Sequence, residues 1–178
     1  MVESSTRNIN IAQPKDPTRL KLIILGEPAV GKSSIIRKWV MDTFDTKYEA
    51  TIGVDFFAKD MRGIVMCLWD LSGHPEFFEV RNEFYKDCHG ILLVYDITSR
   101  RTFDSLDMWL REANRYGANN VYLAICGNKA DLNNKRAIPR NEAESWADSR
   151  RFDYFEVSAA SGQNVSDMFE SIKGKLRA

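Results

Sequence analysis

The chain is short of cysteine, carries no net charge and has no long apolar run. Its three cysteines, Cys67, Cys88 and Cys126, are too few and too scattered for a disulfide framework or a zinc site. Cys67 and Cys126 lie in strand-like runs and read as buried apolar thiols, which suits a reducing, intracellular compartment. Lys+Arg and Asp+Glu both total 25, so no basic field draws the chain onto nucleic acid or an acidic membrane. No stretch has the length and hydropathy of a membrane span, and no signal peptide opens the chain. The last residues, Lys173 to Ala178, hold no cysteine to prenylate. Either the protein is not lipid-anchored there or the chain is cut short. No internal repeat or low-complexity block appears.

What is present is a domain-sized chain of 178 residues, long enough for one core. Residues 1–18 are polar and aperiodic, a mobile lead-in, which leaves 19–178 as the single domain. Strand one is expected near 20–25 and helix one near 32–42. Val54–Lys59 and Ile64–Trp69 flank Met61-Arg62-Gly63, the spacing of an antiparallel hairpin. A helical stretch follows from about Glu76 to Lys86. Gly90–Tyr95 is a continuous apolar run, as a parallel strand covered on both faces should be. Thr102–Tyr116 is amphipathic, with Phe103, Leu106, Leu110 and Ala113 at helical spacing. Val121–Cys126 reads as a strand, Pro139 to about Arg150 as a helix and Tyr154–Val157 as the last strand. Asn164 or Ser166 is expected to cap a final helix. Strands alternating with helices imply an open, mainly parallel sheet with helices on both faces and a site at the strands' carboxyl ends.

Gly26-Glu27-Pro28-Ala29-Val30-Gly31-Lys32-Ser33 reads G-x-x-x-x-G-K-S between the first strand and first helix. Backbone N–H groups of such a loop turn inward around an anion, and the helix N-terminus adds its dipole. Lys32 adds charge for phosphates and the Ser33 hydroxyl can bind Mg²⁺. Asp70-Leu71-Ser72-Gly73 is D-x-x-G after a strand. Its carboxylate suits Mg²⁺ and the Gly73 N–H a γ-phosphate, although an Asp there is also an ordinary turn residue. Asn128-Lys129-Ala130-Asp131 is N-K-x-D after a strand. Guanine offers N1–H and N2–H₂ side by side to Asp131. Adenine lacks that pair, a difference worth about 10⁴–10⁵ in discrimination at such sites. Asn128 can tie this loop to the exit of strand one, and the Lys129 stem can lie along the base. Thr51, in a loop with Tyr48, can complete Mg²⁺ and meet the γ-phosphate. A loop held that way is released on hydrolysis.

In this order, with Ser158-Ala159 last, these motifs resemble the Ras superfamily of small GTPases over roughly residues 20–177. Ile52–Phe56, Leu93–Thr98 and Trp69 before Asp70 look like Rab proteins. Gly73-His74-Pro75 and Glu79–Asp87 resemble the narrower RJL group, Rab-like GTPases some of which carry a DnaJ domain, and none lies within these 178 residues. The resemblance implies an α/β, three-layer P-loop NTPase fold, a six-stranded mostly parallel sheet with one antiparallel edge strand and helices on both faces. It implies GTP/GDP and Mg²⁺ as ligands. Nucleotide contacts would come from Gly26, Ala29, Val30, Gly31, Lys32, Ser33, Ser34, Phe44, Tyr48, Thr51, Gly73, Asn128, Lys129, Asp131, Leu132, Ser158, Ala159 and Ala160. Metal ligands would be Ser33, Thr51 and Asp70, and the catalytic set Lys32, Thr51, Gly73 and His74. Read without the family, Phe44 is helix-end packing. The resemblance also implies a cytoplasmic protein and hints at a basal-body or flagellar association.

The pattern is broken in places. His74 replaces the usual Gln beside the attacking water. An imidazole reaches differently, so hydrolysis is expected below the roughly 10⁻⁴ s⁻¹ of Gln-bearing members, unless His74 is merely a solvent-facing loop residue. Pro28 and Ala29 replace two glycines, and Pro28 crowds the entry of an arginine finger. Ala160 stands where Lys is usual. Phe56, Trp69 and Phe84 match the Rab aromatic triad, a partner surface that changes with nucleotide. By composition alone they equally suit core packing. Three functions therefore stand: a Rab-like switch signalling through loops around Thr51 and 73–87, a GTP-bound interaction module that scarcely hydrolyses, and an adenine-specific ATPase or kinase, against which N-K-x-D argues.

Overall fold

The structure, a computed structural model, describes residues 18–177. The expected lead-in falls outside the described residues, apart from Thr18, which opens the first strand. Six strands form one sheet: β1 (Thr18–Leu25), β2 (Val54–Asp60), β3 (Ile64–Leu71), β4 (Gly90–Asp96), β5 (Tyr122–Asn128) and β6 (Asp153–Glu156). They lie in the order β2-β3-β1-β4-β5-β6. Only the edge pair β2–β3 is antiparallel, with Val54 opposite Leu71, and the other pairs are parallel.

The period of two along each strand sorts its side chains between two helical layers. Leu22 and Ile24 face α1 (Lys32–Met41) and α6 (Val165–Leu176), where Trp39 stacks on Phe169 at 4.1 Å between ring centroids. Ile23 and Leu25 face the opposite layer of α3 (Arg100–Asp104), α4 (Leu106–Arg115) and α5 (Arg140–Asp148). β4 is buried at all seven positions, so it needs no polar alternation. The three cysteines are buried and free.

Several elements depart from expectation. In place of one helix over 76–86, a 3-10 turn (Pro75–Phe77) leads into α2, which spans only Phe78–Asn82. Pro75 opens the turn without needing an N–H partner, and Asp87 at φ 57° reverses the chain before β4. The helix expected over 102–116 is divided at Ser105, whose hydroxyl donates to the Thr102 carbonyl and competes with the helical ladder. Asn164 stands before α6 at φ 60°, but its amide donates to the Glu156 carbonyl rather than capping the helix. The segment after β5 is a short 3-10 helix, Ala130–Lys135, not a plain loop.

The strand order reverses at β1, so β1 exits between β3 and β4 and the chain crosses to opposite faces. Such a reversal opens a crevice at the carboxyl edge of a parallel sheet. The segments after β1, β3, β5 and β6 all emerge there.

Candidate functional site

A cleft runs along that edge. Its walls are Pro28, Ala29, residues 31–34, Arg37, residues 43–49, Thr51, residues 72–74, Asn128, Lys129, Asp131, Leu132, Ala159 and Ala160. Of the residues singled out from sequence, Gly26, Val30, Asp70 and Ser158 are not on its walls and act from behind it.

The loop after β1 has a conformation that its sequence dictates. Gly26 and Gly31 sit at φ 147° and 94°, a region that penalises any side chain. A Cβ on Gly26 would meet the Val94 carbonyl oxygen at 2.2 Å, and one on Gly31 the Asn128 amide nitrogen at 2.3 Å. Ala29, also left-handed at φ 63°, is exposed at the lip. Gly31 precedes the first residue of α1, so the free N–H groups of that helix point into the cleft. Lys32 is buried, its ammonium donating to the carbonyls of Gly26 (2.8 Å) and Glu27 (2.9 Å). Burial lowers its pKa to about 8, against the opposing pull of the Asp70 and Glu27 carboxylates.

Three oxygens converge at the foot of α1. The Ser33 hydroxyl donates to Asp70 Oδ2 at 2.5 Å and lies 3.0 Å from the Thr51 hydroxyl, which is itself 3.5 Å from Asp70 Oδ2. The second carboxylate oxygen, Asp70 Oδ1, is buried without a partner. Burial pushes the Asp70 carboxyl up, and Lys32 and the Ser33 hydrogen bond oppose it. An all-oxygen set with a spare buried carboxylate oxygen fits a hard divalent cation such as Mg²⁺.

At the other end, Asn128 is a two-armed tie. Its amide donates to the Val30 carbonyl (2.9 Å) and its oxygen accepts from the Ala159 N–H (3.2 Å). One buried side chain thus joins the segments after β1, β5 and β6. Lys129, left-handed at φ 69°, donates to the Ala29 carbonyl (3.0 Å) and pairs with Asp96 (2.6 Å). Asp131 is exposed at the cleft, with one oxygen held by the Ser158 hydroxyl at 2.7 Å. Leu132 and Ala160 border it, and Phe44 and Tyr48, 43% and 57% exposed, stand on the opposite lip. This cluster presents the Asp131 carboxylate and an apolar rim to a planar base, while the Ala159 N–H is taken by Asn128.

The segment after β3 closes the remaining side. A Cβ on Gly73 would fall 2.4 Å from the Gly26 carbonyl oxygen, so this loop lies directly on the first one. His74 lines the cleft, its Nε2 3.3 Å from the Tyr48 hydroxyl. Behind it, Arg81 is almost fully buried. It grips Glu112 of α4 through Nε (2.6 Å) and Nη2 (2.9 Å), and donates from Nη1 to the carbonyls of His74 (2.9 Å) and Ser72 (3.3 Å). Tyr85 adds its hydroxyl to Glu112 at 2.5 Å. Burial alone would lower the Arg81 pKa; the hydrogen bonds and charge of Glu112 more than offset it and raise it. On the outer surface Trp69 packs between Phe56 (4.7 Å) and Phe84 (5.0 Å), and Phe56 is half exposed. The triad is both a packed cluster and part of the surface.

Asp96, Glu27, Arg81 and Glu112 were not foreseen. Asp96 had a readable signal: it ends β4 opposite Asn128 and so stands beside Lys129. Glu27, buried in the first loop, takes Arg101 of α3 at 3.0 Å, a pairing that no local pattern announces.

Comparison with known proteins agrees with this geometry. The profile of the Ras family matches residues 21–178. DnaJ homolog subfamily C member 27 of Danio rerio is 43% identical over 166 residues, covering 88% of this chain and 61% of that protein. The Rattus norvegicus and Homo sapiens proteins of the same name are 41% and 39% identical over 174 residues, 91% of this chain and 64% of theirs. Their DnaJ designation agrees with the RJL resemblance in the segment after β3. The chain therefore spans less than two thirds of the length of these relatives. With the phosphate loop, the oxygen cluster at Ser33 and the Asn128–Asp131 segment on one cleft, the chain belongs to the Ras family, as a GTPase domain of the small GTP-binding switch type.

Proposed function

We propose that this domain binds GTP and GDP with Mg²⁺, hydrolyses GTP slowly, and signals to protein partners through loops around Thr51 and 73–87. The observation that carries the reading is that one cleft has two chemically distinct ends. Lys32 and the Ser33–Thr51–Asp70 oxygens lie at one end, Asp131 with Leu132 and Ala160 at the other. Those ends suit the phosphates and the guanine of one nucleotide.

The reaction is in-line attack of water on the γ-phosphate, giving GDP and phosphate. The backbone N–H groups of 29–34 and the Lys32 ammonium hold charge on the phosphate oxygens. Ser33, Thr51 and Asp70 would hold Mg²⁺, which when bound would supply further positive charge there. The Gly73 N–H would meet the γ-phosphate, and His74, which lines the same cleft, would orient the water. Loss of the γ-phosphate frees Thr51 and Gly73 together. The patch of Phe56, Trp69 and Phe84 borders the strands that lead to both loops, which suits a partner that reads their state. We place the switch in a reducing, intracellular compartment, consistent with three buried free thiols.

One observation favours a second reading, an interaction module that scarcely hydrolyses: the His74 ring faces the Tyr48 hydroxyl. Acid denaturation of the purified protein and identification of the released nucleotide separates the two. GDP is expected. GTP would favour the interaction module, and an adenine nucleotide would overturn both.

A further inference from the structure

Behind the base end of the cleft lies a buried polar chain that touches none of its walls. Glu156 ends β6, two residues before Ser158, and is nearly inaccessible. One carboxylate oxygen accepts from Arg136 and the other from the Tyr154 hydroxyl at 2.9 Å. Arg136 caps the 3-10 helix that carries Asp131, and also donates to Asn133 (2.8 Å) and the Ile138 carbonyl (3.2 Å). The Tyr154 hydroxyl meets the Tyr95 hydroxyl of β4 at 3.3 Å. Tyr95 packs so tightly under β5 that a Cβ on Gly127, the residue before Asn128, would lie 2.7 Å from its oxygen.

We infer that Glu156, Arg136 and Tyr154 are positioning residues for guanine discrimination: they fix where Asp131 stands against the segment that follows β6. This rests on the guanine reading proposed above. Asp131 and Ala159 sit on different segments, one following β5 and the other following β6. At the front those segments share a hydrogen bond from the Ala130 N–H to the Val157 carbonyl and one from Ser158 to Asp131. At the back the Arg136–Glu156 pair closes the far end of the 3-10 helix onto β6, so the helix is held at both ends. Two-point binding of the carboxylate, by a guanidinium and a hydroxyl, sets its orientation as well as its position. Burial raises the phenols of Tyr154 and Tyr95, so both remain hydroxyl donors at neutral pH. Arg140, mostly exposed at 3.9 Å from Glu156, is a weaker, screened neighbour. Hydrogen-bond selectivity needs placement within about 0.5 Å, which a free-standing six-residue 3-10 helix would not keep.

The test compares GDP, IDP and ADP as competitors of a fluorescent GDP analogue on the full chain, in wild type, Glu156→Gln and Tyr154→Phe. IDP lacks only the 2-amino group that Asp131 reads. The Kd(IDP)/Kd(GDP) ratio is expected to fall roughly tenfold in each variant, the scale of one mis-set hydrogen bond. An unchanged ratio overturns the inference, including the case where both affinities fall together, because a merely structural role weakens both nucleotides alike. Tyr154→Phe keeps the ring and its packing, so it carries the test if Glu156→Gln does not fold. A wild-type protein that binds IDP and ADP as tightly as GDP overturns the guanine reading itself, and shows it before any variant is compared.

Discussion

Replacing Asn128 by Ala should damage the fold and the site together, and the size of the effect follows from its two arms. The side chain is 2% exposed and satisfies two other buried groups, the Val30 carbonyl and the Ala159 N–H. Alanine leaves both without a partner. Each stranded buried polar group costs about 1–3 kcal/mol. The first loop is pinned elsewhere by Lys32 and the last by Ser158, so relaxation is incomplete and about 2–4 kcal/mol is expected for the pair. A domain of this size loses about 2–4 °C of Tm per kcal/mol, so Tm should fall by about 4–16 °C. Urea denaturation gives the free energy directly, with m unchanged if the unfolded state is unaffected. Asp131→Asn is the control. Asp131 is exposed and Asn can still accept from Ser158, so its stability should stay within about 0.5 kcal/mol while guanine affinity falls. A loss below about 0.5 kcal/mol in Asn128→Ala would refute the claim that this residue ties three segments together.

His74→Gln should raise the single-turnover rate of GTP hydrolysis, followed by phosphate release; an unchanged rate would show that His74 does not govern the water. In Gly73→Ala the new methyl group lies 2.4 Å from the Gly26 carbonyl oxygen, so the loop must leave its seat. Limited proteolysis should then cut near 72–77 equally with GDP and with a non-hydrolysable GTP analogue, where wild type differs between the two. Lys32, lowered by burial to about 8, is largely neutral at pH 9 and largely charged at pH 7. Phosphates beside it raise that pKa again. Nucleotide binding should therefore take up close to one proton at pH 9 and almost none at pH 7, which calorimetry in buffers of different ionisation heat detects. Equal uptake at both pH values would contradict the burial argument.

The sequence was most readable where chemistry and geometry are both local. The octet from Gly26 to Ser33 needs its glycines because Val94 and Asn128 press on them, and the spacing alone announces the loop. The β2–β3 hairpin and the apolar run of β4 likewise carry their structure in adjacent residues. Pairings across the fold were silent. Nothing local marks Arg81 as buried, yet Glu112, Ser72 and His74 surround it. The break at Ser105 was hidden because helical periodicity continues through it and only one hydroxyl marks the joint. The same holds for Ser158, which reads as a base-contact residue but stands behind Asp131 and aims it.

The grip of Arg81 on α4 anchors the segment after β3 from both ends. Withdrawing Arg81 would strand a buried carboxylate, and breaking such a pair costs about 3–5 kcal/mol, so roughly one molecule in a hundred to one in several thousand would be detached at any moment. The same guanidinium also holds the Ser72 and His74 carbonyls, so one side chain secures the start of the segment as well as its end. The loop that faces the cleft is thereby fastened by a single guanidinium to a helix in the body of the protein.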